Sequence, residues 1–467
     1  MNKKLTNRYF YKPINDIIPQ GALYVITQLK NSGYEAYLVG GCVRDLLLEE
    51  TPHDFDICTN AEPAKVIDVL TKNKCKYHTV GIEFGTVTAL CDDGEYEITT
   101  YRTDGEYTDN RRPDSVNYTS SIEVDLSRRD FTINAMAYDP LENRLVDIFD
   151  GYKGLVSCKL VAVGDADKRF KEDALRILRA LRFAIRYDLT IDASTYKAMK
   201  DNVELLDNIS KERITAELEK MLTSGKSIVY WFNECNWLIG KIIPELKQCF
   251  NFNQNNKYHK HDVYEHILNV VDNCKTNKFE IKLAALLHDI GKPKAYVVGE
   301  DGWGHFYGHP EDSYEISKEV LNKRLRLTVE QSNRVLNLVR YHDITIANTK
   351  ASVKRALNKH GIEMIKDWFI LKQADMDDHI YPDKKWKYTV DIIKIKELIQ
   401  VILDEQSCFS LKDLNINGKD IMSILGIKPG KQVGEILHTL LEEVIDEKIN
   451  NEHEELTKRA VELYSIS

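Results

Sequence analysis

Residues 38–56 read LVGGCVRDLLLEETPHDFD, and the fold is decided in them. Leu38 and Val39 close an apolar run that reads as the end of a strand. Gly40 and Gly41 let the backbone turn sharply and approach a ligand, and Arg44 follows one turn into a helix. Asp54 and Asp56 alternate around Phe55 and run on into Ile57, so on a strand both carboxylates share one face. Two acids held that way can fix a divalent ion against phosphates. An isolated D-x-D is more often a turn followed by an exposed strand. The glycine pair, Arg44-Asp45 and the later RRDFTINA of residues 128–135 overturn that preference.

At 467 residues the chain is too long for one ordinary core, so two to four domains are expected. Hydrophobic content of 43% and charged content of 29% describe a globular chain. The formal net charge of −9 gives no whole-chain sign of nucleic-acid binding, although a local basic surface suffices for that. Nine cysteines are scattered with no CxxC pair and no secretory segment ahead of them. Reduced thiols in a cytoplasmic protein with no membrane segment are the expectation.

Outward from the opening stretch, residues 16–33 and 61–72 have helical patterns, the second bounded by Asn60 and Asn73. VGIEFGTVTAL (80–90) and EYEITTYR (95–102) alternate like strands, and Asp92-Asp93-Gly94 between them signals a hairpin. Glu97 is either a third acid beside Asp54 and Asp56 or a solvent-facing strand residue. Residues 103–118 are polar and punctuated by Gly105 and Pro113, as in a mobile loop where Arg111 and Arg112 can meet phosphates or simply face water. RRDFTINAMA (128–137) joins two arginines and Asp130 to an apolar-flanked Asn134. In RFKEDALRILRALRFAIRY (169–187) the leucines line one helical face, and Arg176, Arg179 and Arg182 fall near another. That arginine series is a solvated face unless, with Glu172 and Asp173, it closes over the Asp54 site. Helical periodicity then continues to about Lys247. The charge of SKERITAELEKML (210–222) reads mostly as solvation, and Asn251–Asn256 reads as a linker.

A second constellation follows the linker. His266 lies early in a helix, and LAALLHDIGK (283–292) ends a more apolar one in His288-Asp289. GHFYGHP supplies His305 and His309, YHD supplies His342 and Asp343, and KQADMDDH supplies Asp375. His305 and Asp343 can equally cap turns. The recurrence of His266, His309, His342 and Asp375 beside His288-Asp289 makes metal binding the stronger reading, with one or two transition-metal ions orienting a water for phosphoester hydrolysis. Near the end, residues 414–445 combine Gly418, Gly426 and Pro429-Gly430 with periodic helices, a pattern that favours an uneventful helical pack over a phosphate site.

With LVGGCVRDLL, DFDIC, RRDFTINAMAYD and EDALRILRALRFA in this order, and NGKDIMSILGIKPGKQVGEIL near the end, the chain resembles the bacterial class II tRNA nucleotidyltransferase and poly(A) polymerase family, in particular members with an HD domain. The resemblance implies an α+β fold, with a small mixed-sheet, polymerase-beta-like head followed by mostly helical neck, HD and tail regions. The corresponding ranges are 1–150, 151–250, 251–395 and 396–467. It implies CCA addition to tRNA from CTP and ATP. Asp54 and Asp56 would carry catalytic Mg2+, and Gly40, Gly41 and Arg44 would belong to the nucleotide-phosphate pocket. Arg129 would contact the incoming nucleotide, with Asp130 in the same motif. Asp173 and Arg176, supported by Arg179, would read base edges in place of a nucleic-acid template. The same likeness assigns His266, His288, Asp289, His309, His342 and Asp375 to an HD metal site that suits Ni2+ or Mn2+, with Lys292 on phosphate. Addition of only CC or only A, poly(A) synthesis, or an inactive head beside an HD hydrolase are the competing readings.

Overall fold

The computed structural model describes residues 7–9, 14–105, 116–380, 382–405 and 407–466. By internal contacts the chain divides into two compact units, Met1–Pro244 and Glu245–Ser467. The first is an α+β head whose sheet gives way to helices, and the second is largely helical.

Eight strands build the sheet of the first unit: β1 (Asn7–Tyr9), β2 (Ala36–Val39), β3 (Ile57–Thr59), β4 (Lys76–His78), β5 (Thr86–Cys91), β6 (Gly94–Thr100), β7 (Met136–Asp139) and β8 (Arg144–Asp147). Their order is β1-β8-β7-β2-β3-β6-β5-β4. The β3–β6 pair is parallel, and the other neighbours run antiparallel. β2 and β7 lie side by side near the centre and are buried along their whole length, as the unbroken runs AYLV and MAY require. The β5–β6 hairpin turns at the expected place, with Cys91 opposite Gly94. The strand read over 80–90 is shorter than its alternation suggests: its first half is a 3-10 turn, Ile82–Phe84, and pairing starts at Thr86.

β2 passes into helix α1 (Gly41–Leu47) through Gly40, which has φ +80° and donates its N–H to Met136 O at 3.1 Å. A side chain there would be strained by that φ, and its Cβ would also stand 2.8 Å from Arg129 Nη1. After the sheet come α2 (Ala166–Glu172), α3 (Leu175–Tyr187) and α4 (Lys211–Leu222). α3 is buried around most of its circumference, and Arg176 and Arg182 are buried with it, so the arginine series is not a solvated face.

In the second unit the helices that matter are α5 (Val263–Asn273), α6 (Phe279–Leu287), α7 (His309–Lys323), α8 (Val329–Tyr341) and α9 (Ile362–Asp377). α6 is almost wholly buried, which explains why it is apolar all round. The Asn251–Asn256 stretch is no passive linker. Gln254 is buried and donates to His261 O, and Asn255 and Asn256 donate side-chain N–H groups to Gly302 O and Gly304 O. Toward the end, Ile421, Val433, Leu440, Leu456 and Ala460 share a separate apolar cluster. No helix among the described residues is long and apolar enough to cross a membrane.

Candidate active sites

Asp54 and Asp56 come just before β3 rather than on it, so the turn, not strand alternation, presents them. The Val39 N–H donates to Asp56 O at 3.0 Å, tying that turn to the end of β2. The parallel register pairs Ile57 with Ile98, which brings Glu97 level with Asp56. Burial, then the charges of Asp54 and Glu97, push the Asp56 carboxyl up to about 6, against the pull of Arg129. Crowded carboxylates with only oxygen to offer are the donor set of a hard divalent cation, so these residues fit Mg2+. Arg129 stands over Gly40, with Nη2 3.5 Å from Asp125 Oδ2 and a buried Nε that has no hydrogen-bond partner among the described residues. A cation with spare donors beside a glycine turn is suited to a phosphate.

Arg44, expected in the phosphate pocket, keeps its Nη2 beside the glycine turn, 3.6 Å from where a Cβ on Gly41 would stand, and is held there by protein partners. It is buried, donates to Asp45 Oδ1 at 2.8 Å and Asn134 Oδ1 at 2.6 Å, and lies 4.6 Å from the centre of the Tyr187 ring. Tyr187 in turn donates to Asp45 at 2.9 Å. Asn134 passes the connection to Asp130 at 3.1 Å, and Asp130 accepts from Arg179 Nε and Nη2 at 2.8 and 2.5 Å. Burial alone would raise the Asp130 carboxyl, but Arg179, Asn134 and Arg176 outweigh it and hold it well below the usual range. Arg44, Asn134, Asp130 and Arg179 thus form a continuous chain that ties α1 to α3.

Asp173 sits at the break between α2 and α3, and its Oδ2 accepts from Arg213 Nη2 at 3.0 Å. Arg176 spends its guanidinium on Glu172, Arg169 O and Arg128 O at 2.9, 3.1 and 3.0 Å. In 210–222 the charges of Lys211, Glu212, Glu219 and Lys220 are exposed as expected, and Arg213 and Glu217 are the exceptions. Arg213 reaches Asp173, and buried Glu217 accepts from Arg182 at 2.6 Å. The sequence held one signal for this, an arginine in the first turn of an amphipathic helix. Arg111 and Arg112 lie outside the described residues.

In the second unit the anticipated histidines and aspartates come together. Asp289 Oδ2 is 3.2 Å from both His266 Nε2 and His288 Nε2, while Oδ1 is 3.2 Å from His309 Nε2 and 3.5 Å from His342 Nε2. Asp375 Oδ1 lies 3.3 Å from His266 Nε2. His288, His309 and His342 each direct Nδ1 to a backbone carbonyl, those of Ala285, Phe306 and Val339 at 2.8, 2.8 and 2.7 Å. A neutral ring that donates through Nδ1 keeps the Nε2 lone pair for a metal. Nε2 of His266 and of His288 is buried with no hydrogen-bond partner among the described residues, which suits a metal ligand. The donors form two groups that share Asp289, one with His266 and His288, the other with His309 and His342. Nitrogen and carboxylate donors together fit a transition metal.

His266 alone has a carboxylate behind it, Asp378 Oδ2 at 2.8 Å from Nδ1, a partner not anticipated among the acids of KQADMDDH. His305 and Asp343 stay outside the cluster, paired with Asp301 at 3.0 Å and Lys372 at 3.1 Å. Lys292 Nζ lies 2.7 Å from Asp289 Oδ2 and 2.9 Å from Gln254 Oε1. A cavity of about 400 Å³ opens over the cluster, lined by Tyr258, His259, Lys292, Tyr307, Lys372 and His379 among others.

Comparison with known proteins adds an independent line. Residues 36–161 match the poly A polymerase head domain, residues 188–231 the probable RNA and SrmB-binding site of polymerase A, and residues 314–460 domain 2 of tRNA nucleotidyltransferases. The chain is 34% identical over 436 residues to a CCA-adding enzyme of Streptococcus agalactiae, covering 93% of this chain and 94% of the relative. It is 32% identical over 455 residues to a CCA-adding enzyme of Ligilactobacillus salivarius, covering 95% and 96%. The crystal structure of the Bacillus stearothermophilus CCA-adding enzyme in complex with CTP superposes with a TM-score of 0.70 at 27% identity, over 97% of this chain and 98% of that one.

Proposed function

The chain belongs to the family of CCA-adding enzymes, and we infer from that membership and from its first site that it adds C, C and A to the 3′ end of tRNA. CTP and ATP are the donors, and pyrophosphate leaves. The observation that carries the chemistry is the crowding of Asp54, Asp56 and Glu97 beside Arg129 and the Gly40 turn. Mg2+ held by Asp54 and Asp56 would supply charge neutralisation for attack of the RNA 3′ hydroxyl on the α-phosphorus. Arg129 and the Gly40–Gly41 backbone orient the triphosphate, and the chain from Arg44 to Arg179 fixes their distance from the helical region. Asp173 accepts from the exocyclic amine of cytosine or adenine, with Arg176 beside it. Arg111 and Arg112 belong to the loop that accompanies the change from C to A.

By this reading residues 1–150 are the transferase head, 151–250 the base-reading neck and body, 251–395 an HD-type phosphohydrolase region and 396–467 a tRNA-binding tail in a cytoplasmic enzyme. The phosphohydrolase assignment is a second activity, supported by the orphaned Nε2 atoms of His266 and His288. His266, His288, Asp289, His309, His342 and Asp375 would hold Ni2+ or Mn2+, with Lys292 directed at a phosphate.

The test incubates the protein and Mg2+ with tRNA ending before CCA, using CTP alone, ATP alone and both, with products resolved to one nucleotide. Two additions with CTP followed by one with ATP are expected. An adenosine tail, a single kind of addition or no extension at all would overturn full CCA synthesis.

A further inference from the structure

β4 and β5 pair antiparallel, with Lys76 opposite Leu90, Tyr77 opposite Ala89 and His78 opposite Thr88. One step further along that register Cys75 stands opposite Cys91, and the two thiols are within side-chain hydrogen-bonding reach of each other. Residues directly opposite in an antiparallel pair have Cα atoms about 4.5–5.5 Å apart, inside the roughly 4.4–6.8 Å that a disulfide spans. The packing around the pair fixes both ends. Cys91 Sγ lies 4.0 Å from Gly21 O, and a Cβ on Gly21 would stand 2.8 Å from Cys91 Cβ. The Cys75 N–H donates to Leu70 O at 2.9 Å. The sulfurs can therefore join without a shift of register.

Exposure also sets these two apart. Of the nine cysteines, Cys42, Cys58, Cys235, Cys249, Cys274 and Cys408 are buried and Cys158 is exposed. Cys75 and Cys91 are half-buried and line one cavity of about 650 Å³, together with Tyr24, Lys74, Lys76 and Asp93. A small oxidant dissolved in water can reach them there. Burial, and then the neighbouring Cys75, push the Cys91 thiol up to about 12, so Cys91 reacts as a protonated thiol.

We propose that Cys75 and Cys91 are a site of reversible oxidation by hydroperoxides, in which Cys75 is oxidised first and Cys91 resolves it. The Cys75 thiolate attacks a peroxide oxygen and the O–O bond breaks. With hydrogen peroxide the products are a sulfenic acid on Cys75 and hydroxide, which takes up the proton that Cys75 gave up and becomes water. The Cys91 sulfur then displaces the sulfenic hydroxyl, an S–S bond forms, and the Cys91 proton leaves with that hydroxyl as a second water. Two electrons pass from the sulfurs to the peroxide. A sulfenic acid with a thiol beside it stops at the disulfide, whereas one without climbs to the sulfinic and sulfonic acids, which thiols do not reverse. The bond would also fasten β4, the last strand in the sheet order, to β5.

The experiment treats the folded full-length protein with hydrogen peroxide until Cys158 is oxidised, blocks the remaining thiols with iodoacetamide, and maps the peptides by mass. The Cys75 and Cys91 peptides are expected joined, two hydrogen atoms lighter than the pair apart, and dithiothreitol should return both as thiols. In Cys91→Ser the same treatment should raise irreversibly oxidised Cys75 by about tenfold or more, because nothing resolves the sulfenic acid. Recovery of both residues as free thiols after Cys158 has reacted overturns the proposal. So does equal irreversible oxidation of Cys75 in the two proteins. A Cys75–Cys91 link that forms only after unfolding in guanidinium chloride overturns it as well, since the folded sheet would then not be what pairs them. The peptide map of the unaltered chain decides by itself should Cys91→Ser fail to fold.

Discussion

The two candidate sites offer a cation opposite donor sets. The first offers only oxygens from a turn leading into a strand in the middle of its sheet, and Asp54 and Glu97 are exposed. Burial first, and then repulsion from Asp54 and Glu97, raise Asp56, so a cation shared with the substrate's own phosphates would complete the set. The second offers imidazole nitrogens from inside a helical bundle, each ring already oriented by a partner on its far nitrogen. Such a set is organised in advance and needs no substrate to assemble it. An open, oxygen-lined set suits a cation that comes and goes with its phosphates, whereas a buried, nitrogen-rich set suits a cation that stays.

The sharpest way to break this contrast is Asp56→Ala. It should lower nucleotide addition by on the order of 10³-fold, as expected for losing a preorganised charge at a phosphoryl centre, while leaving the transition-metal content of the second site untouched. A parallel loss in elemental analysis would show that the two sites are not independent. The mirror experiment is Asp289→Asn, which removes the carboxylate common to both donor groups. Bound transition metal should fall below one equivalent with CCA addition preserved, and retention of two equivalents would refute a shared bridge.

A finer test concerns Asp378, which meets His266 at Nδ1, the nitrogen on the far side of the ring from Asp289. Asp378→Asn should weaken metal binding by about 10- to 100-fold, the usual cost of a lost partner behind a ligand. Titration of the metal-stripped protein with Mn2+ reads this directly, and an unchanged affinity would leave Asp378 without that role. The smallest effect is a matter of pH. Asp56 holds a proton up to about 6, above the ordinary carboxylate range. Below that value a proton must leave before Mg2+ binds, so the apparent Mg2+ requirement should rise about tenfold per pH unit as pH falls. Above it the requirement should be flat. Initial rates at several Mg2+ concentrations between pH 5 and 8 check the sign.

Legibility from sequence followed the range of the interaction. Gly40 and the β5–β6 hairpin were readable because a turn or an alternation is set by residues within a few positions of each other, whereas Ser210, in the capping position of α4, makes no side-chain cap. The second donor cluster was readable for a different reason: the chain has only 13 histidines, few enough that their recurrence beside aspartates near apolar helices is itself a signal. An arginine after a glycine turn suits a phosphate and a buried ion pair alike, and the partners that hold Arg44, Asn134 90 residues away and Tyr187 on α3, are not legible beside it. In 210–222 the exposed Lys211, Glu212, Glu219 and Lys220 match a solvated face, but Arg213 and Glu217 do not stand out from them, since periodicity records which residues share a face and says nothing about what that face meets.

By itself the sequence determined that this chain has a glycine turn ahead of two acids, an arginine-rich helix after a sheet, and a histidine and aspartate set in a helical second half. Those features are local in chemistry and spacing. Only the tertiary structure decided that Arg213 holds Asp173 across 40 positions and that Asp378 backs His266 across 112. It alone gave Arg44 its partners Asn134 and Tyr187. The physical reason is that a charged side chain is placed by whichever counter-charge packing delivers to it, and that delivery is written in how helices and strands pack rather than in the order of residues along them.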